Sequence, residues 1–381
     1  MNIVLLDMDG VLLSPGGYHR ALQETVRLMG RAMGFSGSTL LAEDIAHFEA
    51  VGITNEWDSS AISSVMLLMT AWQQDPHASY PRAVNEQPAT QLGRQSPDLG
   101  AFFAAVAGTH LNGLPPLARA QKAVTRLSQA LAPHKQDQLL RLLQDAHDLE
   151  RALTKRTFQE LVLGSQRYRE ISKSESVLDT GSYLLKYDRS NVSAALREGL
   201  LAWLELPDHH AIIFTNRPSL SPQGHTGTPE AEIGAELVGL GELPYVAFGS
   251  LQWLAEELGM SDQDLIKPAP VHALAAMRLA LGDPLEDALR TAAELALRGL
   301  LHASWRHLEG ARISVFEDSV GGIRSLMSAR SVLAAHGVKL QAQAYGVARA
   351  PLKRTALKAE GGRVCDTFEE AFLQQFLAAE G

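Results

Sequence analysis

The chain has 381 residues, 46% hydrophobic and 20% charged, a globular composition long enough for more than one hydrophobic core. Its 43 acidic and 34 basic residues give a net charge of -9, which argues against binding nucleic acid through the phosphate backbone. A single cysteine, Cys365, excludes an intrachain disulfide and a cysteine-based metal cluster. No apolar run reaches the roughly 20 residues of a membrane span. Met1 leads into a strand-like run without a basic leader, so the expectation is a cytoplasmic protein with no membrane contact.

The first apolar run, IVLL (3–6), reads as a buried parallel strand and runs straight into Asp7-Met8-Asp9-Gly10-Val11. The interval from Ser14 to about Arg197 is helix-like almost throughout. Its clearest stretches are 18–34, 55–74, 117–132 and 135–164, the last taken as one long run; the polar, Pro- and Gln-bearing segment 73–100 reads as a flexible loop. Beyond it, AIIFT (211–215), YVAFG (245–249), ISVFE (313–317), AYGVA (344–348) and RVC (363–365) read as further strands, with helical patterns between them. Another helix-rich stretch covers about 283–308. Strand alternating with helix predicts an α/β fold: a doubly wound, mainly parallel, Rossmann-like sheet formed by 1–13 and 200–381. Residues 14–199 then form a large all-helical domain inserted after the first strand.

In open α/β sheets, chemistry gathers at the carboxyl ends of strands. Asp7 and Asp9 follow the first strand, Thr215-Asn216 end the second, Lys267-Pro268 precede a helix, and Glu317-Asp318-Ser319 end a later strand before Gly321-Gly322. Paired carboxylates with a second acidic pair form a hard-oxygen set suited to Mg²⁺, and a dication offsets their repulsion. An ionised Asp7 suits attack on phosphorus. Asp9 suits protonation of a leaving oxygen and later activation of water. Thr215 offers a hydroxyl donor, backbone amides after it can hold phosphoryl oxygens, and Lys267 supplies a fixed positive charge. Gly10 lets the chain turn sharply. Each signal alone has an ordinary alternative: a turn for the DxDG pattern, a strand end for FTN, a solvated lysine, a helix-start charge pair for Glu317-Asp318. The first is not an EF-hand, because Val11 and Leu12 fall where oxygen ligands belong.

Taken together and in order, DMDGV, FTN, IKPAP and FEDSVGG resemble the haloacid dehalogenase-like (HAD) superfamily, in its phosphatase branch. The resemblance covers 1–13 and about 205–381; the insertion matches only in position. It implies Asp7 as nucleophile and Asp9 as general acid/base. It also implies phosphoryl binding by Thr215 with Asn216, and Lys267 orienting Asp7 and phosphate. Mg²⁺ would be held by Asp7, the Asp9 carbonyl, Asp318 and Glu317, the last directly or through water. The insertion is then a cap that closes over the substrate, longer than the family's small helical caps, hinged at Ser14-Pro15-Gly16-Gly17 and at 188–191.

Candidate substrate contacts are Arg217, whose alternative is an ion pair on its own loop, and His19 and Arg20 just past the hinge. Trp57 in the cluster Asn55-Glu56-Trp57-Asp58 is a third, with a helix cap and half-buried tryptophan as alternative. Gln166-Arg167-Tyr168-Arg169 is an anion clamp or a solvated helix face. Gly321-Gly322 serve close packing or a turn. Cys365 reads as a buried small side chain, and His209-His210 as a solvated loop. The leading expectation is a Mg²⁺-dependent phosphatase acting on a small phosphorylated metabolite through an aspartyl-phosphate. The alternatives are a phosphomutase on the same scaffold, separable by a bisphosphate activator, and a non-catalytic binding or regulatory module.

Overall fold

The structure is a computed structural model, and it describes residues 1–37, 39–93, 97–107, 114–224 and 226–377. The chain divides into two compact units. One comprises Met1–Pro15 with Asp188–Gly381, and the other comprises Gly16–Tyr187.

The first unit is built on β1 (Asn2–Leu6), β4 (His209–Phe214), β5 (Tyr245–Val246), β6 (Arg312–Glu317), β7 (Gln341–Val347) and β8 (Arg363–Cys365), with a two-stranded ribbon of β2 (Leu13–Ser14) and β3 (Arg189–Ser190). The six strands form one parallel sheet in the order β5-β4-β1-β6-β7-β8. β1 can be so uniformly apolar because helices cover both faces of the sheet. Ile3 and Leu5 pack on one side with Ile212, Val315 and the helices Pro270–Ala280, Leu285–Arg298 and Val320–Ala335. Val4 and Leu6 pack on the other with Ile213, Phe316 and the helices Ala194–Leu204, Glu230–Leu237 and Phe368–Leu377. Each such side chain contributes about 1.5–3 kcal/mol on burial. From β1 the chain builds outward through β4 and β5, then returns to the opposite side of β1 with β6, so the order reverses beside β1, where α/β sheets open a crevice at their carboxyl ends.

Several expected boundaries shift, each for a local reason. The strand at 245–249 stops at Val246, because Phe248 already starts the helix Phe248–Leu258 and Gly249 lies against the Ser219 carbonyl, where a Cβ would approach to 2.1 Å. His209 and His210 open β4 rather than sitting in a loop. The helix Ala194–Leu204 buries Leu196, Leu200 and Trp203 against the sheet, so the first unit resumes at Asp188 and not at 200. The segments expected as hinges meet in the ribbon: Leu13 pairs with Ser190, Ser14 with Arg189, and Ser14 Oγ donates to Asn191 Oδ1 at 2.7 Å.

The second unit is helical among its described residues. Its centre is the helix Glu56–Gln74, buried from Asp58 to Trp72. The expected run 135–164 is broken into Pro133–Gln144 and Leu153–Leu163. Between them Asp148 Oδ1 accepts from the amides of Glu150 (2.8 Å) and Arg151 (3.1 Å), a side-chain turn that competes with helix. Much of 73–100 is packed down: Trp72 Nε1 donates to Ala78 O (2.8 Å), Lys135 Nζ to Pro76 O (2.8 Å), and Val84 is buried. Positions 94–96 lie outside the described residues.

A buried carboxylate fastens the end of this unit. Glu160 accepts from Ser165 Oγ, Ser176 Oγ and the amides of Val177 and Leu178 at 2.7 to 3.0 Å. Glu160→Ala orphans two of those amides, and the expected cost to the second unit is about 2–4 kcal/mol. Hydrogen exchange checks this: the Val177 and Leu178 amides should lose protection, and unchanged exchange would contradict the assignment.

Candidate active site

Asp7 is the first residue past β1, and its amide donates to Phe316 O of β6 at 3.0 Å. Leu6 pairs with Phe316, so β1 and β6 end side by side and deliver Asp7 and Glu317 to the same place. Both are buried, Glu317 completely. The ammonium of Lys267, from the segment leading into the helix Pro270–Ala280, lies between them. Nζ donates to Asp7 Oδ1 at 2.8 Å and to Glu317 Oε1, and sits 4.1 Å from the centroid of the Phe214 ring. The Lys267–Pro268 peptide is cis. Ser319 Oγ donates to Glu317 Oε2 at 3.0 Å, and Asp318 is ion-paired with Lys353.

Two glycines permit this crowding. Gly10 has φ +77°, and a Cβ there would lie 2.2 Å from Asp318 Oδ2; a Cβ on Gly322 would lie 1.8 Å from Glu317 Oε1. Of the two readings of Gly321-Gly322, close packing therefore describes Gly322.

Carboxylate oxygens of Asp7, Glu317 and Asp318 lie within 4.8 Å of one another. Burial, then repulsion from Glu317, push the Asp7 carboxyl well above the usual carboxylate range, against the pull of Lys267. Burial likewise raises Glu317 and Asp318, opposed chiefly by Lys267 and Lys353 respectively. Burial also disfavours the charge on Lys267, but Asp7 and Glu317 more than offset it and its pKa is raised. His272, beneath the site, is pushed down to about 3 by burial and by Lys267, so it stays neutral and holds Val246 O through Nε2 at 3.0 Å. An excess of buried carboxylate over ammonium, all hard oxygen, fits a divalent cation such as Mg²⁺. The fit rests on Asp7, Glu317 and Asp318; the Asp9 carboxylate is not in this set.

Asp9 is held elsewhere. Arg217 Nε donates to Asp9 Oδ1 (3.1 Å) and Oδ2 (3.0 Å), and Nη2 donates to Oδ1 (2.7 Å) and to Asp188 Oδ2 (2.8 Å). Arg217 is buried and committed to these carboxylates, the alternative noted above for its loop. Thr215 follows β4, is buried, and its Oγ1 accepts from the Arg217 amide at 3.2 Å, which leaves its O–H as a donor; Asn216 is exposed.

The remaining candidates belong to the second unit. His19 Nε2 lies 3.6 Å from Glu49 Oε1 at the surface, and Arg20 lies over the Tyr187 ring. Trp57 donates Nε1–H to Gln159 Oε1 at 3.2 Å, under Lys155 and beside His147, so packing accounts for it. From the sequence, Ser319 was named only within its motif and Asp188 only as a hinge position, neither with a role in the site, and Lys353 was not named; its signal was its place at a helix start just past the end of β7.

The raised carboxyls set a sign for pH. A folded-state pKa above the unfolded one stabilises below the unfolded pKa, and that stability is lost as pH rises through the folded value. At neutral pH in chelator, the ionised cluster therefore costs stability. Asp318→Asn should raise the metal-free Tm at about pH 7 by roughly 2–4 °C, and the advantage should vanish towards about pH 4. Scanning calorimetry of both proteins across that range checks it. A variant less stable than wild type at neutral pH would contradict the charge assignment.

No family model matches the chain, and no curated protein does. Among solved structures, the X-ray structure of a Northeast Structural Genomics Consortium target, ZR25, superposes with a TM-score of 0.63 at 16% identity, covering 99% of this chain and 98% of that one. Phosphatase Tt82 from Thermococcus thioreducens gives a TM-score of 0.41 at 13% identity, covering 95% and 100%. The first likeness establishes a shared fold over nearly the whole chain; at such identities neither bears on the reaction.

Proposed function

We propose that the protein is a Mg²⁺-dependent phosphatase of the HAD type that hydrolyses a small phosphomonoester through an aspartyl-phosphate. The observation that carries this reading is the buried contact of Lys267 with Asp7 and Glu317, within a trio of carboxylates that lacks enough positive charge of its own. A structural cluster would be expected to balance its charges; this one calls for a further cation and tolerates a phosphate only once it arrives.

In this reading Asp7, oriented by Lys267, attacks phosphorus. The ester P–O bond breaks, Asp9 gives its proton to the leaving oxygen, and Asp7 carries the phosphoryl group. Water, deprotonated by Asp9, then attacks phosphorus and releases phosphate from Asp7. Thr215, with the backbone after it, donates to the phosphoryl oxygens. Asp7, Glu317 and Asp318 would hold Mg²⁺, which when bound would supply positive charge to offset the carboxylates and the phosphoryl oxygens.

Phosphate release from a panel of phosphomonoesters tests this. Wild type should turn over at least one member with Mg²⁺. EDTA and Asp7→Asn should each abolish release, by about 10³-fold or more given the scale of nucleophilic and general acid–base contributions. Release by Asp7→Asn at the wild-type rate would overturn the reading.

A further inference from the structure

Asp7 and Asp9 are separated only by Met8 but are handled by different cations, Lys267 and Arg217. The Arg217 guanidinium is 1% exposed and its far partner Asp188 is 0% exposed, whereas Asp9 is 34% exposed. Asp188 is where the chain re-enters the first unit, just before β3. Gly234 makes room for this arrangement: a Cβ there would lie 2.3 Å from Met8 Sδ and 3.2 Å from Arg217 Nη1.

The grip on Asp9 is lopsided. Oδ1 accepts from both Nε (3.1 Å) and Nη2 (2.7 Å), while of these three contacts Oδ2 takes one, from Nε at 3.0 Å. A carboxylate oxygen has two lone-pair sites, so Oδ1 is the anchored oxygen and Oδ2 the one with more capacity for a reacting partner. A bidentate guanidinium also fixes the plane of the carboxylate, which a lysine ammonium cannot do. Since Arg217 is itself braced by Asp188, the rotamer of Asp9 is determined from the buried side of the sheet end.

We propose that Arg217, braced by Asp188, is a positioning residue that aims Asp9 at the leaving oxygen rather than a residue that binds substrate. The inference rests on the phosphatase reading and on Asp9 as its general acid. It makes a specific demand: losing Arg217 should hurt where the leaving group needs a proton and matter little where it does not. A p-nitrophenolate departs without protonation, and an alkoxide does not.

The test compares wild type, Asp7→Asn, Asp9→Asn, Arg217→Lys and Arg217→Gln on glycerol phosphate and on p-nitrophenyl phosphate, with Mg²⁺ throughout. Arg217→Gln should lower kcat on glycerol phosphate by about 10²-fold, on p-nitrophenyl phosphate by less than about 10-fold, and change neither KM by more than about 3-fold. Asp9→Asn should share the pattern, and Arg217→Lys should recover only part of the loss. Equal losses on both esters, unchanged kcat on both, or a change confined to KM would overturn the proposal. If Arg217→Gln does not fold by thermal melting, Asp188→Asn is read instead, and it must show the same leaving-group selectivity at smaller amplitude or the proposal fails. Where wild type does not turn over glycerol phosphate, the best alkyl phosphate of the panel takes its place; Asp7→Asn active at the wild-type rate, or wild type inactive on every member of the panel, would instead overturn the phosphatase reading itself.

Discussion

The buried ammonium of Lys267 is the constraint around which the first unit is arranged. Two carboxylates brought side by side by adjacent parallel strands, Asp7 after β1 and Glu317 at the end of β6, repel each other in a medium that solvates neither. One lysine between them makes the pair tolerable, and the Phe214 ring face beside Nζ adds to its surroundings. The glycines at 10 and 322 follow from the same demand, because the Asp318 and Glu317 carboxylates fill the space where their side chains would be. Asp318 then adds a third negative group that Lys267 does not contact, and the solvent-facing Lys353 meets it instead.

Arg217 repeats the principle with a different geometry. A lysine is a point charge that two carboxylates can share, whereas a guanidinium is a planar fork that fixes one carboxylate's orientation. Two aspartates of identical chemistry thereby acquire distinct surroundings, one pressed against buried acidic neighbours and one held by a braced fork. The sheet supplies the positions, and the two cations supply the difference.

Much of this was legible in the sequence for a physical reason. Short continuous apolar runs alternating with helical patterns fit strands covered on both faces, and polar residues directly after such strands sit at their ends, so Asp7, Thr215 and Glu317 could be placed. Lys267 was legible only as one member of an ordered set, since nothing local distinguishes it from a solvated lysine. Arg217 was seen but given two possible roles, because Asp188 lies far from it in sequence and pairing across such a distance leaves no pattern in spacing. The division at Asp188 was hidden for a related reason: the helix Ala194–Leu204 looks like its helical predecessors, and only its packing of Leu196, Leu200 and Trp203 assigns it to the sheet. The break near Asp148 turned on one side chain bonding to amides ahead of it, a local competition that helical periodicity does not report.

The central claim is that Asp7 accepts a phosphoryl group. The most direct measurement is ¹⁹F NMR of the full chain with beryllofluoride and Mg²⁺, beryllofluoride being a phosphoryl mimic that binds an aspartate carboxylate. The account predicts bound fluorine signals in wild type that disappear with EDTA and in Asp7→Asn. Folded wild-type protein with Mg²⁺ and no bound signal, or the same signals retained by Asp7→Asn, would contradict it.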